Sequence, residues 1–287
     1  MDRLISQLPF FTDDHRDLAQ SVAQFVAQEI EPRAGVEDDV EDLARDFVHL
    51  LARAGILNYA VAESKLDIRA LCLVREELAY SSALADLAFV MQGLGTYAIA
   101  RAAPDHVRDF WLSRAASGKA IAAFALTEPN AGSDVAAIQT TARRDGETYV
   151  IDGRKRFISN AGIADFYLVF AKTGTREDGR PAISAFVVGS KMQGFRVVER
   201  TPLIAPHPIG RSRSISVACR RKTWSEVKAM ASSLRWKRWT RFARVSERRR
   251  AAWRDARWTR QFVIRRTANS SDVCCVNINW CRLSSPT

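Results

Sequence analysis

From residue 12 to about 118 the apolar positions recur at helical spacing. Val22, Phe25, Val26 and Ile30 follow Leu18 at offsets of four, seven, eight and twelve, which marks one face of a 3.6-residue period. Thr12 or Asp13 can cap this helix, and Pro32 stops it. A second helix is predicted from about Val40 to Ala54, with Leu43, Phe47, Leu50 and Leu51 inward and Gly55 as its C-terminal punctuation. Leu71, Val74 and Leu78, then Leu84, Leu87, Phe89 and Val90, predict two more, the latter ending near Gly93-Leu94-Gly95. Pro104 opens a fifth over Asp105–Ala116, with Phe110 and Trp111 apolar, and Gly118-Lys119 closes the series.

The period then changes. Ala120–Leu126 is a short apolar run, followed by the turn-rich stretch Thr127–Asp134. Strand-like pieces follow at Tyr149–Ile151, Arg156–Ile158, Phe166–Ala171, Ala182–Val188 and Phe195–Val198. Gly146, Asp152-Gly153, Gly162, Asp178-Gly179 and Gly194 punctuate them. Short strands at this spacing predict an antiparallel sheet or barrel rather than alternating strand and helix units. The expected fold class is α+β, with a helical domain over 1–120 and a small antiparallel β-barrel domain over 121–210.

Composition divides the chain a third way. Residues 211–287 hold 20 Lys+Arg against four acids, a net of +16, whereas the whole chain carries +11. All 14 glycines lie at or before Gly210, and six of the seven tryptophans lie after it. The first 210 residues contain one cysteine, Cys72, so no disulfide framework supports them and a reducing cytoplasm is the expected compartment. No apolar run is expected to reach the ~20 residues that span a bilayer, and the charged amphipathic start is unlike a signal peptide. With 47% hydrophobic residues the chain is not disordered by composition.

The segment Phe124–Asp134 carries the most chemistry. It joins an apolar strand to a loop in which backbone N–H groups can approach a flat or anionic ligand; Gly132 removes a blocking Cβ, and Thr127 and Ser133 offer hydroxyls. The plain alternative is an ordinary strand-to-loop connection built on Asx and Ser/Thr turns. The string Ala125-Leu126-Thr127-Glu128-Pro129-Asn130-Ala131-Gly132-Ser133-Asp134 resembles the first signature of the acyl-CoA dehydrogenases, a helix–barrel–helix family of flavoenzymes. About thirty residues on, Asp152-Gly153-Arg154-Lys155-Arg156-Phe157-Ile158-Ser159-Asn160-Ala161-Gly162 resembles the family's second flavin segment, and Ile163–Ala171 continues the match. Roughly residues 10–210 share the resemblance.

The resemblance implies FAD as cofactor and a flavin-binding set of Phe124, Leu126, Thr127, Gly132, Ser133, Phe157, Ile158 and Ser159. Phe124, Leu126 and Thr127 would line the ring, with Thr127 presenting its N–H and hydroxyl to the pyrimidine edge. Gly132 and Ser133 would shape the loop beside the diphosphate and the acyl-CoA chain, so Ser133 is also the implied substrate-binding residue. Phe157 stands where the family's usual Trp stands, and Ser159 where the usual Thr stands. Phe keeps an apolar face without the indole N–H, and Ser keeps the hydroxyl without the methyl.

The activity implied is α,β-dehydrogenation of an acyl-CoA thioester, in which a carboxylate base removes the α-proton and the flavin takes the β-hydride. In relatives that base is a Glu on a C-terminal helical domain; no residue here matches it, so no catalytic residue is nominated and the C-terminal bundle is expected to be missing or aberrant. Glu128 and Asp134 read as structural acids of the loop. The implied partners are the acyl-CoA substrate, electron-transfer flavoprotein as acceptor and further copies of the chain in a homo-oligomer. No membrane and no metal are expected. His15, His49, His106 and His207 are scattered, which points to surface or satisfied core roles; Cys274, Cys275 and Cys281 lack paired zinc spacing, and Cys72 reads as packing.

Two readings of residues 211–287 stay open. Arg and Lys interleaved with Trp, as in Arg235-Trp236-Lys237-Arg238-Trp239, can hold a phosphate backbone and stack bases, which would make the chain a non-catalytic binding module with a basic nucleic-acid-binding tail. The other reading is out-of-frame translation. Trp236-Lys237-Arg238-Trp239-Thr240-Arg241, read one base earlier, permits Leu-Glu-Thr-Leu-Asp-Ala, which resembles the start of the family's last helical domain. On that reading the tail is poorly ordered, the enzyme is truncated and impaired, and the tail holds nucleic acid only non-specifically.

Overall fold

A computed structural model of the chain describes residues 8–34, 39–61, 66–201, 203, 206–220 and 224–225, with side chains as far as residue 212. The tail beyond residue 225, with both readings placed on it, lies outside the described residues. Among the described residues five α-helices come first: α1 (Asp13–Phe25), α2 (Val40–Arg53), α3 (Ile68–Ser81), α4 (Ala83–Ala102) and α5 (Asp105–Ala116). Their starts follow local chemistry. Thr12 opens α1 with a reciprocal cap involving His15, and the Asp39 carboxylate accepts the Glu41 and Asp42 N–H groups at 2.9 and 3.2 Å. Ser82 accepts the Ala85 N–H at the head of α4, and Pro104 precedes α5. The α1 path continues through a π turn (Val26–Ile30) and a 3₁₀ turn (Glu31–Arg33) that contains Pro32.

Two sequence expectations about α4 are corrected. It does not end near Gly93-Leu94-Gly95 but runs on to Ala102. A Cβ on Gly95 would lie 2.6 Å from the Ala122 Cβ, so this glycine serves close helix-to-strand packing rather than termination. At 20 residues α4 is also long and apolar enough to cross a membrane, contrary to the expectation that no such run exists, but 78% of its most apolar window is buried inside the protein. Asp86 within it is paired with Arg75 of α3 through two bonds of 2.7 and 2.8 Å, both side chains buried. It is a core helix.

The strands are β1 (Ala122–Ala125), β2 (Thr141–Asp145), β3 (Thr148–Ser159), β4 (Phe166–Thr175), β5 (Pro181–Gly189), β6 (Phe195–Arg200), β7 (Ile209–Arg220) and β8 (Trp224–Ser225). They form one sheet in the order β6-β7-β3-β2-β4-β5-β8, with β1 also on β4. Most pairings are antiparallel, as expected, but the sheet is mixed, because β1 and β2 both run parallel to β4. Both lie along one edge of β4: β1 pairs Ala122–Ala125 with Phe166–Val169, and β2 touches further on, at Thr141 against Lys172.

The sequence breaks β3 into two pieces at Asp152-Gly153, yet it is one 12-residue strand. Gly153 is there for clearance, since a Cβ would come 2.3 Å from the Thr140 hydroxyl oxygen. Register shifts at Ile151/Gly153 and Lys155/Ile158 mark bulges that bend the strand and curl the sheet. Strand β2, Thr-Ala-Arg-Arg-Asp, is almost wholly polar, with only Ala142 buried. Strand β7 crosses the composition boundary at 210, antiparallel to both β3 and β6.

One apolar core joins the helices to the sheet, with Phe47, Leu71 and Phe89 packed in the same cluster as Ile151, Ile158, Tyr167 and Phe186. Gln92 of α4 is the polar pin of this seam. Its side-chain nitrogen donates to the Ala115 and Ala120 carbonyls at 3.0 and 2.9 Å, and its oxygen accepts the Ala122 N–H at 2.7 Å. The start of β1 is therefore fixed by a helix. Replacing Gly95 by alanine raises helix propensity by up to ~1 kcal/mol but forces a methyl into Ala122, at a cost of ~1–3 kcal/mol. Thermal unfolding of Gly95→Ala is expected to show a lower Tm, whereas Gly174→Ala, facing open space, leaves it nearly unchanged.

Candidate functional site

Two polar segments that lie far apart along the chain are bonded to each other. After β1, Leu126 and Thr127 lead into a tight turn in which Glu128 and Ala131 exchange backbone bonds of 2.9 and 3.3 Å. The second half of β3 passes alongside. The Arg156 N–H donates to the Thr127 carbonyl at 2.8 Å, and the Lys155 ammonium donates to the Leu126 carbonyl at 3.0 Å and to Glu128 Oε1 at 2.8 Å. Further along, the Asn160 side chain donates to the Ala122 carbonyl at 3.0 Å. The loop after β1 and the second half of β3 thus form one bonded ridge.

Lys155 and Glu128 are almost fully buried, with side-chain exposures of 2% and 5%. Both Glu128 oxygens are engaged: Oε1 accepts from Lys155 and from the Thr140 N–H at 3.0 Å, and Oε2 accepts the Gln139 N–H at 2.6 Å. Burial on its own would raise this carboxyl's pKa, but the Lys155 ammonium and the two backbone donors outweigh it and hold the group below its ordinary value. Glu128 is therefore an ionised structural anchor. Asp134 likewise accepts the N–H of Ala136, at 3.1 Å. The structural roles expected of both acids are met.

Around this anchor the implied flavin residues divide. Thr127 is half-buried; among the described residues its N–H and hydroxyl have no protein partner, nor do the N–H groups of Gly132 and Ser133 or the Ser133 hydroxyl. No atom lies within 4 Å of where a Gly132 Cβ would stand, so that backbone faces open space. Phe157 has φ +56, unusual for a bulky residue, which turns its ring outward to 48% exposure with the Arg156 guanidinium 4.5 Å from its centre. Phe124 is half-buried, edge-on to Phe170 at 4.9 Å. Leu126 and Ile158 are buried, at 9% and 1% exposure, so the Ile158 side chain belongs to the core beneath the ridge and only its backbone is near the site. Open N–H and hydroxyl donors beside an exposed aromatic face suit a flat heterocycle carrying an anionic tail; the residues present fit a flavin.

Three residues that hold the site were not singled out from sequence. Lys155 stood inside the second motif without a role; its neighbours Arg154 and Arg156 gave no sign that it alone points inward. Asn160 adopts φ +64, a left-handed conformation that Asn tolerates, and so turns the chain back toward β1. His207, read as an isolated histidine, has its Nε2 2.8 Å from the Ser159 hydroxyl oxygen. His15 is likewise bonded, to Thr12 and to Asp67, in a core-side role.

The described residues form a five-helix domain packed on a curled mixed sheet, with two bonded polar loops at the seam. Family models describing the acyl-CoA dehydrogenase N-terminal domain and the acyl-CoA dehydrogenase middle domain match residues 12–119 and 123–210, and the chain belongs to the acyl-CoA dehydrogenase family. A 3-(aryl)acrylate reductase of Clostridium sporogenes is 35% identical over 191 residues, covering 64% of this chain and 50% of that protein. The chain spans about half the length of the curated relatives it matches. Among solved structures, a probable acyl-CoA dehydrogenase from Mycobacterium abscessus aligns with a TM-score of 0.79 at 23% identity, covering 95% of this chain and 74% of that one. A Bacillus anthracis acyl-CoA dehydrogenase complexed with FAD aligns with a TM-score of 0.64 at 26% identity, over 76% of this chain and 38% of that one.

The buried pair generates a stability prediction. Lys155→Met leaves Glu128 charged and underpaired, and is expected to cost roughly 3–5 kcal/mol in denaturant unfolding. Because Glu128 is depressed in the folded state, its contribution is complete above the unfolded carboxyl value of ~4.3 and is lost as pH falls through the folded value. The gap between parent and Lys155→Met should therefore narrow when unfolding is repeated in increasingly acidic buffer.

Proposed function

We propose that residues 12–210 are the helical and middle parts of an FAD-dependent acyl-CoA dehydrogenase that acts by α,β-dehydrogenation of an acyl-CoA thioester. The observation that carries this reading is the Arg156-to-Thr127 backbone bond, backed by the Lys155–Glu128 pair, which brings the two flavin segments onto one ridge. When bound, the flavin supplies the two-electron acceptor for the β-hydride. Thr127 offers its N–H and hydroxyl to the ring's polar edge, Phe157 its apolar face, and the Gly132–Ser133 backbone its N–H groups to the diphosphate and acyl-CoA chain. Glu128 is excluded as the proton-removing base, since both its oxygens are bonded within the protein.

Electron-transfer flavoprotein as acceptor, assembly with further copies of the chain and residence in the cytoplasm complete the proposal. The composition break after Gly210 supports a displaced reading frame from there on, and with it an impaired enzyme. The rival binding-module reading rests on the +16 charge of residues 211–287.

Titrating the full chain with FAD and following flavin fluorescence is expected to give saturable but weak binding, roughly micromolar or above, with no acyl-CoA-dependent dye reduction. A tightly held yellow cofactor with acyl-CoA turnover would overturn the impairment. Sequencing the gene across codons 200–240 tests the frame: early stops in the upstream frame refute displacement. Sequence-specific DNA retention that vanishes on deleting residues 211–287 would instead favour the binding module.

A further inference from the structure

Ser159 differs from the other donors on the ridge, because its hydroxyl is already engaged. His207 Nε2 lies 2.8 Å from it, across a sequence separation of 48 residues. Both side chains are half-buried. The backbone of the segment that delivers His207 is bonded on both sides: the Pro208 carbonyl accepts the Asn160 N–H at 2.7 Å, and the Ile209 carbonyl accepts the Thr201 N–H at 2.8 Å. Ser159 and Ile209 are then direct partners across β3 and β7. The imidazole contacts the Ser159 hydroxyl at the edge of the ridge.

An unbranched serine samples three staggered positions about χ1, whereas a β-branched threonine is stiff there. A half-buried serine at the rim of a site would spend part of its time pointing away from a ligand, and ordering it on binding costs affinity. We propose that His207 is a positioning residue of the flavin site: through its bond to the Ser159 hydroxyl it fixes the rotamer in which that hydroxyl faces the ring. The pair works in either neutral tautomer. With Nε2 protonated, the imidazole donates and the serine O–H is directed to the cleft; with Nε2 bare, the serine O–H turns to the imidazole and its lone pairs face the cleft. His207 touches no reacting atom and acts only through Ser159.

This inference rests on the flavin reading above, and the test separates the two. The full chain and its variants are titrated with FAD, recording the dissociation constant and the visible absorption band of the bound flavin, alongside thermal unfolding. His207→Leu is expected to bind FAD about fivefold more weakly, the worth of one modest hydrogen bond, with a shifted flavin band and an unchanged Tm. His207→Gln, which keeps a polar group at that reach, should recover part of the loss. Adding Ser159→Thr to His207→Leu should restore binding, because the methyl then supplies the stiffness; a merely structural histidine would not be rescued in this way. Unchanged binding and spectrum in His207→Leu, or no rescue by Ser159→Thr, overturns the positioning role while the flavin reading stands. If the parent chain itself shows no FAD binding, both fall together.

Discussion

A lysine ammonium and a glutamate carboxylate enclosed together are the constraint on which the rest of the site depends. Neither Lys155 nor Glu128 could be buried alone, since an isolated ion in the interior costs far more than a domain can spare. Each is tolerable because the other is there and because backbone groups take up their remaining valences: Leu126 on the lysine, Gln139 and Thr140 on the glutamate. The consequence is geometric. The loop after β1, the approach to β2 and the bulged half of β3 are tied at a single point. A site assembled from two loops would otherwise drift by the slack in both.

That point is in turn placed by the helical domain. Gln92 of α4 holds the first residues of β1, and Gly95 lets the helix lie directly on Ala122. Asn160 returns the end of β3 to the same Ala122 carbonyl end of the strand. A short strand of four residues is thereby fixed from a helix on one side and from β3 on the other. The base of the ridge is therefore the seam between two layers, where Gln92 of the helices and Asn160 at the end of β3 both reach β1. Ligand sites favour such seams because the concavity and the polar termini are supplied by the packing itself.

The helices were legible because their apolar face repeats over several turns, so every turn restates the signal. Strands with a buried, near-continuous apolar run, such as Phe166–Ala171, were equally plain. What could not be read was whatever depends on a partner distant in sequence. Gly95 and Gly153 look like punctuation in one dimension; only the approach of Ala122 and Thr140 shows that each makes room for a neighbour. Strand β2 carries one buried side chain and is a strand through its ladder to β3, which no local pattern records. The same limit applied within the site. The motif resemblance located Thr127, Phe157 and Ser159, but it could not tell that Ile158 faces the core, that Lys155 faces Glu128 or that a histidine 48 residues away meets Ser159.

The boundary after Gly210 shows the reverse case, in which structure is indifferent to a sequence change that composition registers sharply. Glycine vanishes and basic charge accumulates from residue 211 on, yet β7 continues to Arg220, paired with β6 as far as Ser214 and with β3 to its end. A β-ladder is built from backbone N–H and C=O groups that every non-proline residue carries, and Ile209–Arg220 contains no proline. A strand therefore accepts a wide range of side chains so long as its ladder persists, as this one does from Ser159 against Ile209 to Thr148 against Arg220 across two register shifts. Helical domains offer no such tolerance, because a helix is kept in place by its apolar stripe rather than by its ladder. A displaced reading frame would thus leave this strand formed while depriving any following helices of the pattern they need.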